Sequence, residues 1–232
     1  KVEYDTDALR AMAKTEYEAG KTLFCQACAV SDLEIKVREI TKTTDIEIKT
    51  LPCRVEKMQL LTHDVMKLQL KLPETERLQF LAGQYIEFLL KDGKRRAFSI
   101  ANAPHDDEFI ELHIRHVPDG QFGDFVFDGL KEKSLMRIEG PLGSYFLRED
   151  SERPIILMGG GTGFAPLKGM LEHAFYIGFD RPIHLFCGAR AKRDLYMDEM
   201  VRPWLAQHKN LRYTPVLSQP DESDNWQGET GF

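Results

Sequence analysis

No apolar run in these 232 residues is long enough to cross a bilayer. The longest stretch free of charged residues and histidine, Pro154 to Leu167, has 14 residues and four glycines, against the ~20 apolar residues that a spanning helix requires. Lys1 to Gly20 is charged and carries no apolar block, so no signal peptide is read there. Basic runs are missing too. Lys and Arg number 31 against 37 Asp and Glu, a formal charge of -6, which argues against a nucleic-acid partner or an anionic membrane surface. Cysteine is scarce, at Cys25, Cys28, Cys53 and Cys187 only. Four so unevenly placed make no disulfide framework, and a reducing, cytoplasmic compartment is expected. Neither G-x-S-x-G nor H-E-x-x-H occurs, which leaves hydrolase chemistry without an anchor. The first residue is Lys1, not Met, and the last two are Gly231-Phe232, as expected of a piece of a longer chain.

What is present is an ordinary globular composition, 42% hydrophobic and 29% charged, whose texture changes twice. Residues 1–48 are charged around a short apolar island, Leu23 to Val30, and Thr41 to Leu51 reads as a linker ending at Pro52. From Arg54 to Leu147 the pattern is mainly β. Met66, Leu68, Leu70 and Leu72 alternate with polar residues, as do Ile110, Leu112 and Ile114, and Leu135 to Ile138 makes another short strand. Tyr85 to Leu90 and Arg96 to Ile100 flank Asp92-Gly93, a hairpin turn signal. Phe122, Phe125, Val126 and Leu130 sit at helical spacing, and many short antiparallel strands with one helix imply a small barrel. From Arg153 the order becomes a buried strand (Pro154 to Met158), a glycine run, and a helix with Leu167, Met170, Leu171 and Ala174 on one face. A strand (Ile183 to Cys187), a helix (Tyr196 to His208) and a strand (Tyr213 to Leu217) follow. That is half of a doubly wound parallel sheet.

The run Gly159-Gly160-Gly161-Thr162-Gly163 joins a strand to a helix, where bare backbone lets phosphate approach amide N–H groups. It is not the common G-x-G-x-x-G fingerprint, whose last position would be Phe164, and no Gly-Lys-Ser/Thr follows to make a Walker loop. A tight strand-to-helix turn with no ligand would look the same. On the barrel side, Arg96, Phe98 and Ser99 offer a cation, a flat ring and a hydroxyl, and residues two apart share one strand face, so Arg96 and Phe98 can line one groove. Their chemistry suits a flavin nucleotide; a surface Arg beside a core Phe is the plainer alternative. Gly120-Gln121-Phe122-Gly123, at a helix start, offers a cradle for a pyrophosphate. His113 and His116 lie three apart on a predicted strand, hence on opposite faces, so a shared metal is not expected.

Taken in order, Phe80-x-Ala-Gly-Gln-Tyr85, Arg96-x-Phe-Ser99, Gly140-Pro-Leu-Gly143, Gly159-Gly-Gly-Thr-Gly-Phe-Ala-Pro166 and Cys187-Gly-Ala-Arg190 resemble the ferredoxin–NADP reductase superfamily. The resemblance runs from Pro52 to Phe232. It implies an antiparallel FAD-binding β-barrel over 52–148, followed by an incomplete α/β parallel-sheet NAD(P)-binding domain over 153–232. It implies cofactor contacts at Tyr85, Arg96, Ala97, Phe98, Ser99, His113, Ile114, Gly120, Gln121, Phe122, Gly123, Gly160, Gly161, Thr162, Gly163 and Arg190. Among these, Arg96 would hold the FAD phosphates, Ser99 would lie near flavin N5, and Thr162 would receive the nicotinamide nucleotide; Ser99 and Thr162 are the catalytic candidates. Two departures stand out: Gly123 replaces the Ser or Thr usual in the pyrophosphate turn, and the family's last Cys-Gly motif and strand are absent.

Cys25-Gln-Ala-Cys28 has no second local pair to complete a zinc site, nor does it open a helix as redox C-x-x-C motifs do. Its context, Phe24-Cys25-Gln-Ala-Cys-Ala-Val-Ser31-Asp32-Leu33, resembles the end of a plant-type [2Fe-2S] ferredoxin, a β-grasp fold of which residues 1–48 would be the C-terminal remnant. Cys25 would be the fourth cluster ligand, the other three lying upstream of this sequence; a buried structural Cys pair is the alternative. The resemblance is nearest to three-part reductases that serve a dehydratase or an oxygenase component. It implies electrons passing from NAD(P)H through FAD to the cluster and on to such a partner protein; a stand-alone ferredoxin or flavodoxin reductase without its own cluster, or a non-catalytic nucleotide-binding module on the same scaffold, is the alternative. Arg190 or Arg193 could meet a 2′-phosphate, with a solvated charged turn as the equal alternative, but Asp221, just past a strand end, would disfavour such a phosphate, so NADH is weakly favoured.

Overall fold

The computed structural model describes residues 2–4, 18, 27–32 and 46–231 and forms two units, Lys1–Thr41 and Lys42–Phe232. In the first, β1 (Val2–Tyr4) and β2 (Ala27–Ala29) pair antiparallel, Glu3 opposite Cys28. Cys28 is exposed and free; Cys25 lies outside the described residues.

The second unit holds two sheets. β3 (Lys49–Thr62), β4 (Val65–Lys71), β5 (Tyr85–Leu89), β6 (Arg95–Ser99), β7 (Ile110–Arg115) and β8 (Leu135–Leu142) form one, in the order β6-β5-β8-β3-β4-β7. Every pairing in it is antiparallel. A bridge from Ile100 to Leu112 links the two outer strands and closes the barrel, and the alternation of the sequence turns Val55, Leu68, Leu70, Ile86, Phe88, Leu112 and Ile138 inward, all fully buried. Each such side chain stabilises the fold by about 1.5–3 kcal/mol relative to exposure.

The expected linker gives way early. Residues 49–51 already belong to β3, with Leu51, Cys53 and Val55 buried and Pro52 and Arg54 exposed. Pro52 is tolerated because β4 pairs with β3 only from Arg54 onward, so Pro52 has a strand neighbour on one side alone. The expected helix after Gly120 is α1 (Gln121–Asp124), which continues as a single π-helical segment over Phe125–Gly129.

The second sheet is parallel, β12-β11-β10-β9, from β9 (Ile155–Gly160), β10 (Ile183–Ala189), β11 (Leu211–Leu217) and β12 (Glu229–Thr230). The helix α2 (Phe164–Tyr176) packs Leu167, Met170, Leu171 and Ala174 onto it and ends at Gly178, whose φ of +72° suits the left-handed position past a helix end. Two expectations need correction here. In the strand read as buried from Pro154 to Met158, Leu157 is buried while Ile156 and Met158 are 67% and 71% exposed. The helix expected from Tyr196 begins two residues later as α3 (Asp198–Gln207), with Asp198 and Glu199 in the first turn, where acidic groups suit the helix dipole. Tyr196 is thereby released for a contact with the barrel.

Barrel and parallel sheet meet along a tight seam. A Cβ on Gly169 of α2 would stand 2.7 Å from the Asn102 carbonyl oxygen, and one on Gly83 would overlap Met170. Gly169 therefore lets helix backbone reach barrel backbone where any side chain would intervene, while Gly83, at a φ of +108° and hard against the Tyr145 carbonyl, leaves room for the Met170 tip.

Candidate functional site

The barrel presents its candidate residues on the β5–β6 hairpin and around α1. On β6 the two adjacent arginines have different fates. Arg95 is tied to Glu87 at 3.0 Å and to Glu139, whereas Arg96 forms no ion pair among the described residues and reaches only the Arg95 carbonyl, at 2.8 Å. Arg96, Gln121 and Phe122 line one groove of about 580 Å³ that continues past Phe125 to Leu135. An uncommitted guanidinium beside an apolar groove of that size suits a phosphate followed by a flat, mostly apolar group. Phe98 departs from the expectation that it lines the groove with Arg96: its half-buried ring packs between Phe88 and Phe122, at centroid distances of 5.9 and 5.3 Å. Ser99 stands opposite Tyr85 in the ladder. A Cβ on Gly143 would lie 2.7 Å from the Tyr85 ring, and Gln84 binds the Gly143 carbonyl at 3.0 Å, so the Gly140–Gly143 and Ala82–Tyr85 motifs build one corner around Tyr85.

Gly123 also has a local reason. A Cβ there would come within 3.2 Å of the His116 ring, which stacks on Phe127 at 4.8 Å and bonds Asp124 at 2.7 Å. Ala97 is exposed on β6. The Ile114 side chain lies in the barrel core and His113 is buried with both ring nitrogens bonded, so the part of these two that a cofactor can meet is backbone.

The glycine run spans the end of β9, a single 3₁₀ turn over Gly161–Gly163 and the start of α2. Gly161 has a φ of +52°, which a side chain resists, and a Cβ on it would meet the Arg115 guanidinium at 2.9 Å. Gly159 is closed in by Gly163 and Leu167, but a Cβ on Gly163 would meet nothing within 4 Å. The loop is thus packed on the inside and open at its tip, and Thr162, half-buried between, makes no side-chain hydrogen bond among the described residues. Behind the loop, burial pushes the Cys187 thiol up to about 12, so it stays neutral and unreactive.

Arg190 does not share the Arg96 groove. It faces a separate cleft of about 780 Å³, with Arg115, His116 and Val117 on the barrel side and Arg193, Gln219 and Asp221 on the other. Asp221 caps the turn that follows β11 by accepting from the Ser223 amide at 2.8 Å, and that hydrogen bond lowers its carboxyl below the usual range, keeping it charged. Sequence reading missed Arg115. It ends β7 two residues beyond His113, and the strand-face logic applied to Arg96 and Phe98 would have singled it out as a cation at a strand end; Asp64 holds it at 2.7 Å. A bare loop tip, an Arg96 with no ion pair among the described residues and a cleft bordered by three arginines form a donor set that fits FAD and a dinucleotide.

Comparison with known proteins agrees. Residues 52–146 match the oxidoreductase FAD-binding domain and residues 157–232 the oxidoreductase NAD-binding domain. The CDP-6-deoxy-L-threo-D-glycero-4-hexulose-3-dehydrase reductase of Yersinia pestis is 40% identical over 95% of this chain and 66% of its own. Reductase component 1 of the terephthalate 1,2-dioxygenase of a Comamonas species is 36% identical over 85% of this chain and 59% of its own. Among solved structures, the Amycolatopsis cytochrome P450 reductase superposes with a TM-score of 0.75 at 32% identity, over 100% of this chain and 70% of that one. The chain thus spans about two thirds of the length of such relatives. With the barrel, the parallel sheet and both domain matches in the same order, this chain belongs to the FAD- and NAD-binding oxidoreductases of the ferredoxin–NADP reductase superfamily.

Proposed function

We propose that this chain is the flavin–nicotinamide part of an electron-transfer reductase: NAD(P)H gives a hydride to FAD, and the electrons leave through a [2Fe-2S] centre for a partner enzyme. The observation that carries this reading is the pairing, within one folding unit, of the Arg96 groove on the barrel with the open-tipped Gly159–Gly163 loop on the sheet. Bound FAD would supply the change from two-electron to one-electron chemistry. The chain itself binds and orients. Arg96 and the Gln121 end of α1 take the FAD phosphates, the groove toward Leu135 takes the adenosine half, and Ser99 offers its hydroxyl to the ring system. Thr162 and Gly163 hold the nicotinamide end of the dinucleotide, Arg115 its phosphates from the barrel side, and Arg190 its adenosine end. Holding donor and acceptor side by side removes most of the entropic barrier to transfer.

The residue boundaries 52–148 and 153–232 for the two domains, and 1–48 for a ferredoxin remnant with Cys25 as its ligand, belong to the same reading. The named functions of the relatives support a dehydratase or oxygenase component as acceptor. NADH is favoured over NADPH because charged Asp221 borders the cleft at its Arg190 end, where a 2′-phosphate would be repelled. A cytoplasmic site fits the free thiols of Cys28, Cys53 and Cys187; no helix among the described residues is long and apolar enough to cross a membrane.

The test is an anaerobic visible spectrum of the FAD-loaded protein before and after NADH. Flavin absorbance bleached by NADH is the expected result, with accompanying iron–sulfur absorbance bleached in a chain that includes the upstream cysteines. Flavin that binds but is not bleached by either nucleotide would refute the reductase in favour of a nucleotide-binding module. A kcat/KM higher for NADPH than for NADH would refute the role given to Asp221.

A further inference from the structure

Two segments of the nucleotide-binding half reach across the seam, and both end on the same strand of the barrel. The first is α2, which starts at the glycine loop. Its Lys168 is buried, and the ammonium uses three partners: the Ala101 carbonyl at 3.2 Å, Glu111 at 3.2 Å and Glu172 at 2.9 Å. The second is the stretch that leaves β10 and carries Arg190. It ends in Tyr196, whose hydroxyl lies 3.0 Å from His113 Nδ1, while His113 Nε2 lies 3.0 Å from Glu111. Tyr196 also stands edge-on to Phe164, the first residue of α2, and lines a small gap with Gly161 and Cys187.

Proton placement along this chain has one self-consistent solution. Burial alone would raise the Glu111 carboxyl, but the His113 hydrogen bond and the Lys168 ammonium overcome it and hold the group at about 2. Burial lowers the His113 imidazole below its usual range against the pull of Glu111, with Lys168 and Lys67 adding to the fall. A neutral imidazole that donates from Nε2 to a carboxylate must accept at Nδ1, so the Tyr196 hydroxyl donates to it. Every member is satisfied and each fixes the next, which is the condition under which a buried polar network rigidifies its surroundings.

The placement of that network matters for the reaction. Glu111 and His113 share one face of β7; Arg115, two residues on, meets the glycine loop at Gly161. Leu112, between them, bridges to Ile100, the residue after Ser99. The network therefore joins the strand that presents Ser99 to both segments that would hold the dinucleotide. We propose that the side chains of Glu111, His113 and Tyr196 are positioning groups for hydride transfer, setting the glycine loop and the Arg190 segment against the Ser99 strand without themselves touching either cofactor. This rests on the flavin–nicotinamide reading above.

The test uses Tyr196→Phe, which deletes one hydroxyl and keeps the ring, and Glu111→Gln, which keeps an acceptor for His113 but removes the charge opposite Lys168. In stopped flow with FAD bound, the limiting rate of flavin reduction by NADH should fall about 10-fold in each, since displacements near 1 Å cost up to about 100-fold. The apparent nucleotide Kd and the FAD content should stay at wild-type values, and the charge-transfer absorbance of the nucleotide complex should weaken. In the protein without nucleotide, hydrogen exchange over 190–197 should quicken in both variants. Limiting rates at wild-type values while that exchange quickens would overturn the proposal, because the seam would have loosened without consequence. A raised Kd with an unchanged limiting rate would overturn it too, by making these residues binding groups. A wild type whose flavin NADH does not reduce would overturn the underlying reading and this inference with it, whereas a reducible wild type with unaltered variants overturns this inference alone.

Discussion

Gly169→Ala puts the seam to a direct thermodynamic test, because two opposing effects of known size meet at one atom. In the middle of a helix, alanine is preferred over glycine by about 1 kcal/mol, and on that ground α2 should gain. The new Cβ would stand 2.7 Å from the Asn102 carbonyl oxygen and 3.2 Å from its carbon. Both are backbone atoms, which cannot rotate aside as a side-chain tip does, so helix and barrel must separate by about half an ångström. Overpacking of this kind costs about 1–3 kcal/mol, and a backbone-on-backbone clash belongs at the upper end. Lys168, next along the helix, would be drawn from Glu111 and the Ala101 carbonyl. The clash wins by about 1–2 kcal/mol, and in a chain of this size each kcal/mol moves Tm by about 2–4 °C, so a fall of roughly 5 °C is expected. The assay is a thermal melt of wild type and variant under identical conditions, with the unfolding midpoint in urea as a check. An unchanged or raised Tm would refute the close approach of α2 to Asn102, and with it the seam geometry.

Gly163→Ala should behave in the opposite way, leaving Tm within about 1 °C because the backbone at Gly163 is right-handed helical and a new Cβ meets nothing within 4 Å, yet weakening nucleotide binding measurably by titration; unchanged affinity would mean that the open loop tip is not where the dinucleotide lies. Arg96→Ala should lose bound FAD, since no other described residue offers an unpaired guanidinium to that groove; full flavin occupancy after gel filtration would refute its role. Thr162→Ala should slow flavin reduction with FAD still bound, and an unaltered stopped-flow rate would refute a part for that hydroxyl. On acidification the seam should weaken in two stages. His113 is held neutral below its ordinary 6.5, so the unfolded chain binds the proton first and stability drops as pH falls below 6.5. Glu111, held at about 2 against 4.5 when free, contributes stability that is full above 4.5 and lost as pH falls toward 2. Glu111→Gln should flatten that lower limb in acid unfolding followed by circular dichroism, and an unchanged limb would contradict the Lys168 and His113 pairings.

Much of the site was legible before any coordinates. Alternation in β4 and β7 and the Asp-Gly turn placed barrel strands to within a residue or two. The 3.6-residue rhythm of Leu167, Met170, Leu171 and Ala174 placed α2, and the glycine run announced the turn that joins β9 to it. The misreadings have local causes. Pro52 reads as a strand breaker, but breaks nothing where a strand has a neighbour on one side only. Ile156 and Met158 read as buried because hydrophobicity in a sequence marks a strand without saying what covers each of its faces.

What the sequence determined by itself, then, was everything with a period or a short signature: strands, helices, turns, and the ordered motifs that name the family. Such features depend on neighbours within a few residues, where side-chain direction follows directly from backbone geometry. The seam was decided only by the tertiary structure. His113 and Tyr196 lie 83 residues apart in sequence and Lys168 and Ala101 67 apart, while Gly169 owes its identity to the Asn102 backbone. Contacts between two separately patterned halves have no periodicity to betray them. They are fixed by how the finished surfaces dock, and it is there that the geometry between the two cofactor-binding faces is set.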